Sequence, residues 1–265
     1  MEQIPVINLT QKRLTVRLAQ SPADLDAVQA LRWRVFYEEM GAQAAECPQP
    51  GSDADDYDAL CDHLLVVAEA ADGSGEVVGT YRLLRESVAR RHHGFYSAHE
   101  FDLEAVAGQE RGFSGELLEL GRSCVLPAYR TSGTISLLWR GITDYVARHG
   151  IAIMFGCASF PGTDPQRHAL ALGYLFEHHL APPDLCPVVL PGGDAWWPSA
   201  PLPADFNPRR AAMTMPPLVK AYLRVGAMVG RGAFIDRAFN TVDVCMVMPV
   251  DRIVDRYAAR FSAAA

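Results

Sequence analysis

No stretch of this sequence approaches the roughly 18–20 uninterrupted apolar residues that a membrane-spanning helix needs. The start, Met1-Glu2-Gln3-Ile4-Pro5, has no basic segment leading into an apolar one, so no secretory signal is expected. Six cysteines stand at 47, 61, 124, 157, 186 and 245; no two form a C-x-x-C, and none has a histidine at zinc-finger spacing. Reduced thiols in the cytoplasm are the expectation, with Cys124 and Cys157 in core packing. There is no G-x-x-x-x-G-K-[ST], no G-x-G-x-x-G after a strand, no G-x-S-x-G and no H-E-x-x-H. Nucleotide-dependent, serine-hydrolase and zinc-protease readings lose their main support. Adjacent histidines (His92-His93, His178-His179) point apart on either a helix or a strand and read as solvated, so no metal is expected. Basic charge is also short, 24 Lys and Arg against 31 Asp and Glu, which argues against a nucleic-acid surface along the whole chain.

What is present is an ordinary folded composition: 265 residues, 49% apolar and 21% charged. Leu14–Ala19 alternates as a strand. Ser21-Pro22 opens a helix whose apolar positions, Leu25, Val28, Leu31, Val35 and Phe36, run towards Gly41. A broken loop follows to Asp62. His63–Ala68 and Glu76–Leu84 form a hairpin, and Leu117–Val125 is a further strand. A helix spans 132–149, stopped by Gly150; Ile151–Phe155 is a buried strand, and Asp164-Pro165 starts a short helix. This order predicts a mixed α/β layer fold with helices on both faces of a central mixed sheet. Residues 181–217 then hold ten of the eighteen prolines, an irregular excursion of the kind kept for binding. A helix over Leu218–Val229, a strand over Val242–Met248 and a closing helix from Val250 complete the chain. Residues 1–265 read as one domain with this C-terminal proline-rich and helical elaboration.

Charges interrupt these elements where a core would not want them. Arg32 and Arg34 break the first helix beside Phe36; Asp53, Asp55, Asp56 and Asp58 crowd the next loop; Arg82, Glu119 and Arg122 sit inside strands. Such charges must pair, and paired charges in a cleft are candidates for function. The series Arg32-x-x-x-Phe36, Asp55-x-x-Asp58, Arg82-Leu83-Leu84 and Glu119-x-x-Arg122 resembles the signature of acyl-homoserine-lactone synthases, relatives of the GNAT acyltransferases. Gly41-Ala42-Gln43 departs from it, where those synthases carry a tryptophan. Glu119–Val125, Tyr129-Arg130, Leu138–Ile142, Phe155–Phe160, Pro217–Arg224 and Ala233–Val244 resemble the bacterial ornithine N-acyltransferases across about residues 14–250, the proline-rich excursion included.

The resemblance implies a GNAT-like fold. It also implies transfer of a 3-hydroxyacyl chain from acyl carrier protein to the α-amine of ornithine, giving lyso-ornithine lipid. The donor is then the carrier's 4'-phosphopantetheine arm, with no bound cofactor. Tyr129–Gly133 stands where acetyl-CoA enzymes carry a glycine-rich pyrophosphate loop. Aminolysis of a thioester needs a neutral amine, a stabilised oxyanion and a thiolate leaving group. Glu119 and Arg122 are the candidate catalytic residues, Glu119 as the base and Arg122, like Arg82, pairing with the nearby acids or gripping the substrate carboxylate. Backbone N–H groups around Ser123 and Val125 are candidates for holding the oxyanion. Arg32, Phe36, Asp55, Asp58 and Arg82 are candidate substrate-binding residues, though the charges among them could equally form one structural network.

Between Pro208 and Arg237 six basic residues face one acid, a net +5 in a chain of net −7. This segment reads as basic and amphipathic, suited to acidic carrier protein or anionic lipid. Arg130, Arg140, Lys220, Arg224 and Arg231 are the candidate contacts. The expected setting is cytoplasmic, with peripheral contact at the inner face of the membrane. Acylation of glutamine or lysine, lactone synthesis, and a non-catalytic lipid- or carrier-binding module are the competing readings.

Overall fold

The computed structural model describes residues 12–43, 49–109, 112–198, 202 and 206–253. Cys47 and parts of the proline-rich stretch lie outside them. Strand β1 (Arg13–Leu18) leads into helix α1 (Pro22–Trp33). Ser21 caps that helix, its Oγ accepting from Asp24 N at 3.2 Å, and Pro22 fills the first turn, where a missing N–H costs nothing. The helical spacing that predicts one helix to Gly41 changes pitch: Arg34–Glu39 is a wider π-turn, a feature that tends to mark functional positions. The hairpin is β2 (Asp62–Glu69) and β3 (Gly75–Arg85). After it comes a run of short pieces: α2 (Glu86–Ala89), a 3-10 turn at Tyr96–His99, β4 (Phe101–Asp102) and α3 (Glu104–Ala107).

Strand β5 (Glu116–Val125), helix α4 (Ser132–His149) and strand β6 (Ile151–Pro161) form a β-α-β crossover, the helix ending at Gly150 in the left-handed region, φ 62°. Helix α5 (Ala169–His178) follows a turn capped by Asp164. The excursion contributes β7 (Val188–Val189), β8 (Ala195–Trp196) and α6 (Pro208–Thr214). Then come α7 (Pro217–Arg224), β9 (Met228–Val229), β10 (Ala233–Asp236) and β11 (Thr241–Pro249). Residues 208–237 are therefore two helices and two strands and not one amphipathic element. The helix expected to reach Val229 stops at Arg224, because Gly226 turns the chain with φ 90°.

The main sheet runs β1-β2-β3-β5-β6-β11-β10-β8, with β9 pairing β11. It is mixed: β5 and β6 are parallel and the other pairs antiparallel. Alternation along β2 gives each face its partner. Leu64 and Val66 share a core with Leu138 and Ile142 of α4, whereas Leu65 and Val67 pack with Val28 of α1. Helices cover both faces, as expected for this fold class. A second core under the 86–107 segment gathers Phe95, Phe101, Leu117, Phe155 and Val247. Among the described residues no helix is long and apolar enough to cross a membrane.

Two irregularities place the site. Pairing between β5 and β6 ends at Glu119 and Phe155, after which β5 stays with β3 and β6 with β11, so the sheet splits. At the apex Gly156 has φ 155°, and a Cβ there would overlap the Leu120 carbonyl. Only glycine lets the backbones approach this closely before diverging. On β5 the register with β3 slips between Thr80 and Arg82, and Arg122 sits at φ 48°. In a regular strand residues 119 and 122 would face opposite sides of the sheet. The bulge turns Arg122 to the face that Glu119 occupies, as both reach Tyr96.

Candidate active site

Three guanidinium groups and three carboxylates interlock on the α1 face. Arg32, fully buried at the end of α1, donates from Nε to Asp53 Oδ2 at 2.7 Å. Its two terminal nitrogens grip both oxygens of Asp58 at 2.8 Å each, and it also reaches the Asp53 carbonyl. Arg82 meets Asp55 at 2.6 and 2.7 Å and Asp58 at 3.2 Å. Arg122 reaches Asp55 at 3.2 Å, and its Nε lies 3.3 Å from Asp53. The formal charges cancel, as they must for buried ions. Burial alone would raise the Asp58 carboxyl; Arg32 and Arg82 instead hold it well below the usual range. Asp55, against the same burial, is lowered by Arg82 and Arg122.

Aromatic rings fix the guanidiniums. Arg82 lies over Tyr57 and Tyr96, 5.5 and 5.1 Å from the ring centres. Arg122 is held between Tyr96 and Phe239 at 4.8 and 4.3 Å. Phe36 packs edge-on against Phe239 at 5.9 Å, so it supports Arg122 through that ring.

Glu119 takes no part in these ion pairs. Its Oε2 accepts from Tyr96 N at 2.8 Å, and its Oε1 accepts from Ser97 N at 2.6 Å and Ser97 Oγ at 2.5 Å. A buried carboxylate thus anchors the first turn of the 96–99 segment, where free N–H groups favour an anion. Beside this turn opens a cavity of about 300 Å³. Tyr37, Asp55, Tyr96, Glu100, Arg122, Phe234, Asp236 and Phe239 are among the residues that line it. Glu100, pushed well up by burial and by neighbouring Asp243 and Asp236, accepts the Cys157 thiol at 3.2 Å. Cys157 therefore packs beside a polar group as well as in core, and burial raises its thiol.

The acetyltransferase (GNAT) domain family matches residues 31–140, the span from Arg32 through Arg122. Over 247 residues the chain is 48% identical to L-ornithine N(alpha)-acyltransferase of Rhizobium meliloti (strain 1021), covering 92% of this chain and 82% of that protein. Identity to the Rhodobacter capsulatus protein of the same name is 39% over 246 residues, covering 91% of this chain and 92% of that one. This chain belongs to the L-ornithine N(alpha)-acyltransferase family. It is an acyltransferase. Two solved structures share the fold: FeeM, an N-acyl amino acid synthase from uncultured soil microbes (TM-score 0.50, 12% identity, 93% of this chain and 96% of that one), and the CoA-dependent acyl-homoserine lactone synthase BjaI (TM-score 0.50, 15% identity, 93% and 89%).

In this family member the six charged residues of the sequence signature divide, five in the ion network and Glu119 in the neighbouring turn. Ser123 and Val125 lie on the part of β5 that has left β6. The Val125 carbonyl accepts from Arg130 Nε at 3.0 Å, and Arg130 is gripped by Glu39 through two bonds of 2.6 Å. Arg130 thus braces the cleft wall through Glu39. Arg140 is exposed on α4; on α7 Arg224 is exposed and Lys220 half-buried. Arg231 is exposed near β10, apart from α7. Sequence reasoning noted Asp53 without assigning it a role. It missed Tyr96, Glu100, Asp236, Phe239 and Asp243. A signal existed for Asp243, the one charge within the otherwise uncharged, wholly buried strand β11.

Proposed function

We propose that this chain transfers a 3-hydroxyacyl group from acyl carrier protein to the α-amine of ornithine, forming lyso-ornithine lipid. The observation that carries the reading is 48% identity over 92% of the chain to a protein named for acylating the α-nitrogen of L-ornithine. The site agrees with it chemically. Beyond Glu119 the β5 edge facing β6 has no ladder partner, so its N–H and C=O groups suit the amides of an extended phosphopantetheine arm. The thioester then lies near the bulge, with N–H groups at Ser123–Val125 available to the developing oxyanion. Arg122, wedged between two rings at the cavity wall, offers its fork to the amino-acid carboxylate.

The step is an aminolysis. The neutral α-amine attacks the thioester carbon, the tetrahedral adduct expels the pantetheine thiolate, and the nitrogen's surplus proton passes to solvent. Glu119 positions the Tyr96–Ser97 turn in this scheme, because three donors already occupy its oxygens. Asp55 and Asp58 hold Arg82 and Arg122 in place.

The test is to incubate the protein with 3-hydroxyacyl carrier protein and, separately, ornithine, glutamine and S-adenosylmethionine. Acyl-ornithine should dominate; a lactone product, or none with any acceptor, rejects the proposal. Glu119→Gln should lower kcat by about tenfold or more while leaving the shape of the pH–rate profile unchanged. Loss of one limb of that profile would restore Glu119 to the role of base.

A further inference from the structure

Apart from the balanced network, a second group of acids has no ion-pair partner of its own, Arg122 acting on Glu100 and Asp243 only from a distance. Glu100 ends the 96–99 turn, Asp236 ends β10 and Asp243 stands on β11. Each brings a carboxylate oxygen within 4.8 Å of the others. Glu100 and Asp243 are each 5% exposed. Among the described residues none of the three forms an ion pair. Glu100 accepts the Cys157 thiol and Asp236 the Phe239 N–H at 2.9 Å, both neutral donors. Asp243 Oδ1 is buried without a hydrogen bond of good geometry, and the groups beside its carboxylate, the Ser159 and Thr241 hydroxyls, are neutral. A fold that neutralises Arg32, Arg82 and Arg122 so fully has left three carboxylates facing each other beside the cavity. Such a group is incomplete without a cation.

We infer that Glu100, Asp236 and Asp243 form the subsite for the side-chain ammonium of the acceptor and select ornithine over neutral amino acids. The inference rests on the acylation reading above. A primary ammonium carries one positive charge and three N–H donors, which matches three convergent carboxylates. Glu100 and Asp236 line the same cavity as Arg122. An amino acid can therefore place its carboxylate at Arg122 and its side-chain ammonium at the cluster. Phe234 and Phe239, also in the wall, cover the methylenes between. The carboxylates of the ion network supply no such specificity, since Asp53, Asp55 and Asp58 each already hold a guanidinium.

The experiment compares ornithine with 2-aminopentanoate, the same chain without the terminal amine, using 3-hydroxyacyl carrier protein as donor. The parent should favour ornithine by about 100-fold in kcat/KM, as sites built around a polar group reject its absence strongly. Glu100→Gln, Asp236→Asn and Asp243→Asn should each cut that preference about tenfold or more, through KM for ornithine. KM for the carrier protein should stay unchanged. Each variant should melt at or above the parent temperature, since it removes one of three like charges; this separates lost recognition from lost folding. An active parent whose folded variants keep the preference overturns the inference alone, as does a parent that uses both acceptors equally. Activity lost on chelation and restored by Mg²⁺, with the preference unaltered in the variants, reassigns the cluster to a divalent cation and also overturns it. A parent that never acylates ornithine overturns the underlying reading and this inference together.

Discussion

At the scale of single residues, the site is governed by which charges find partners. Asp58 sits between Arg32 and Arg82 with Gln29 Nε2 donating to it at 3.0 Å, and it is buried. Removing one partner from such a set leaves cations buried against a deficit, which typically costs about 3–5 kcal/mol. Asp53 and Asp55 remain, so Asp58→Ala should fall near the lower end, about 3 kcal/mol at pH 7 by chemical denaturation. The pH dependence has a definite sign. The Asp58 carboxyl is lowered on folding, so its contribution is complete above the unfolded value of about 4 and fades as pH falls below that. The difference between parent and Asp58→Ala should therefore narrow on acidification below about pH 4. Glu100 and Asp243 act in the opposite sense. Both are raised by burial, with Asp236 adding to each, so their ionisation weakens the fold at higher pH and protonation relieves it. The parent should be most stable in mildly acidic solution, between the two effects. A difference between parent and Asp58→Ala that does not change with pH would show that the ion network contributes little to folding.

At the scale of elements, the split between β5 and β6 depends on one glycine. At Gly156 any Cβ would meet the Leu120 carbonyl, and φ 155° disfavours other residues as well. Gly156→Ala should cost about 1–3 kcal/mol and reduce kcat, because the strands can only relieve the clash by shifting the cleft walls. Gly121, one residue beyond Leu120, is the control: a Cβ there meets nothing nearer than Arg82 Nε at 3.7 Å. Equal tolerance at both positions would refute the close approach. This apex is only half legible in the sequence. Ser21, Gly150 and the apolar spacing of α1 and α4 are local signals, and the elements they mark appear where expected. The apolar pattern predicts β6 only to Phe155, because Gly156-Cys157-Ala158-Ser159 lacks apolar bulk, yet pairing with β11 keeps the strand extended to Pro161. The ion network was visible because a buried charge in a helix or strand must find a partner. The Glu100–Asp236–Asp243 group was hidden: its members come from a short turn and two distant strands, with no common spacing, and only the topology joins them.

At the scale of the whole molecule, the proposed reaction asks an acidic chain of net −7 to admit a donor carried on another acidic protein. Two like-charged bodies associate slowly unless a local patch of opposite sign steers them. The exposed bases do not spread along one face of residues 208–237, since that segment breaks into α6, α7, β9 and β10. Helix α7 buries Val219 and Tyr222, and Tyr222 meets Trp139 of α4 edge-on, with ring centres 6.0 Å apart. Its hydroxyl also lies 3.0 Å from that of Tyr81 on β3. Lys220 and Arg224 thus share a turn-spaced row on a helix packed beside α4, where Arg140 is exposed next to Trp139. None of these three bases forms a salt bridge among the described residues, whereas Arg130 is engaged by Glu39 and Arg237 by Asp194. A patch without internal partners is the one whose reversal should be felt by an incoming acidic surface. Lys220→Glu with Arg224→Glu should raise KM for acyl carrier protein about tenfold in low salt, with the difference shrinking towards 0.5 M salt, where the screening length is only about 4 Å. The same double variant should keep parental activity with an acyl-pantetheine thioester that has no carrier attached, because both substitutions point away from the buried side of α7. A carrier-protein KM unmoved at low salt, or an equal loss with the free thioester, would rule out this patch as the docking surface. Binding to anionic vesicles in place of carrier protein would assign it instead to the membrane face.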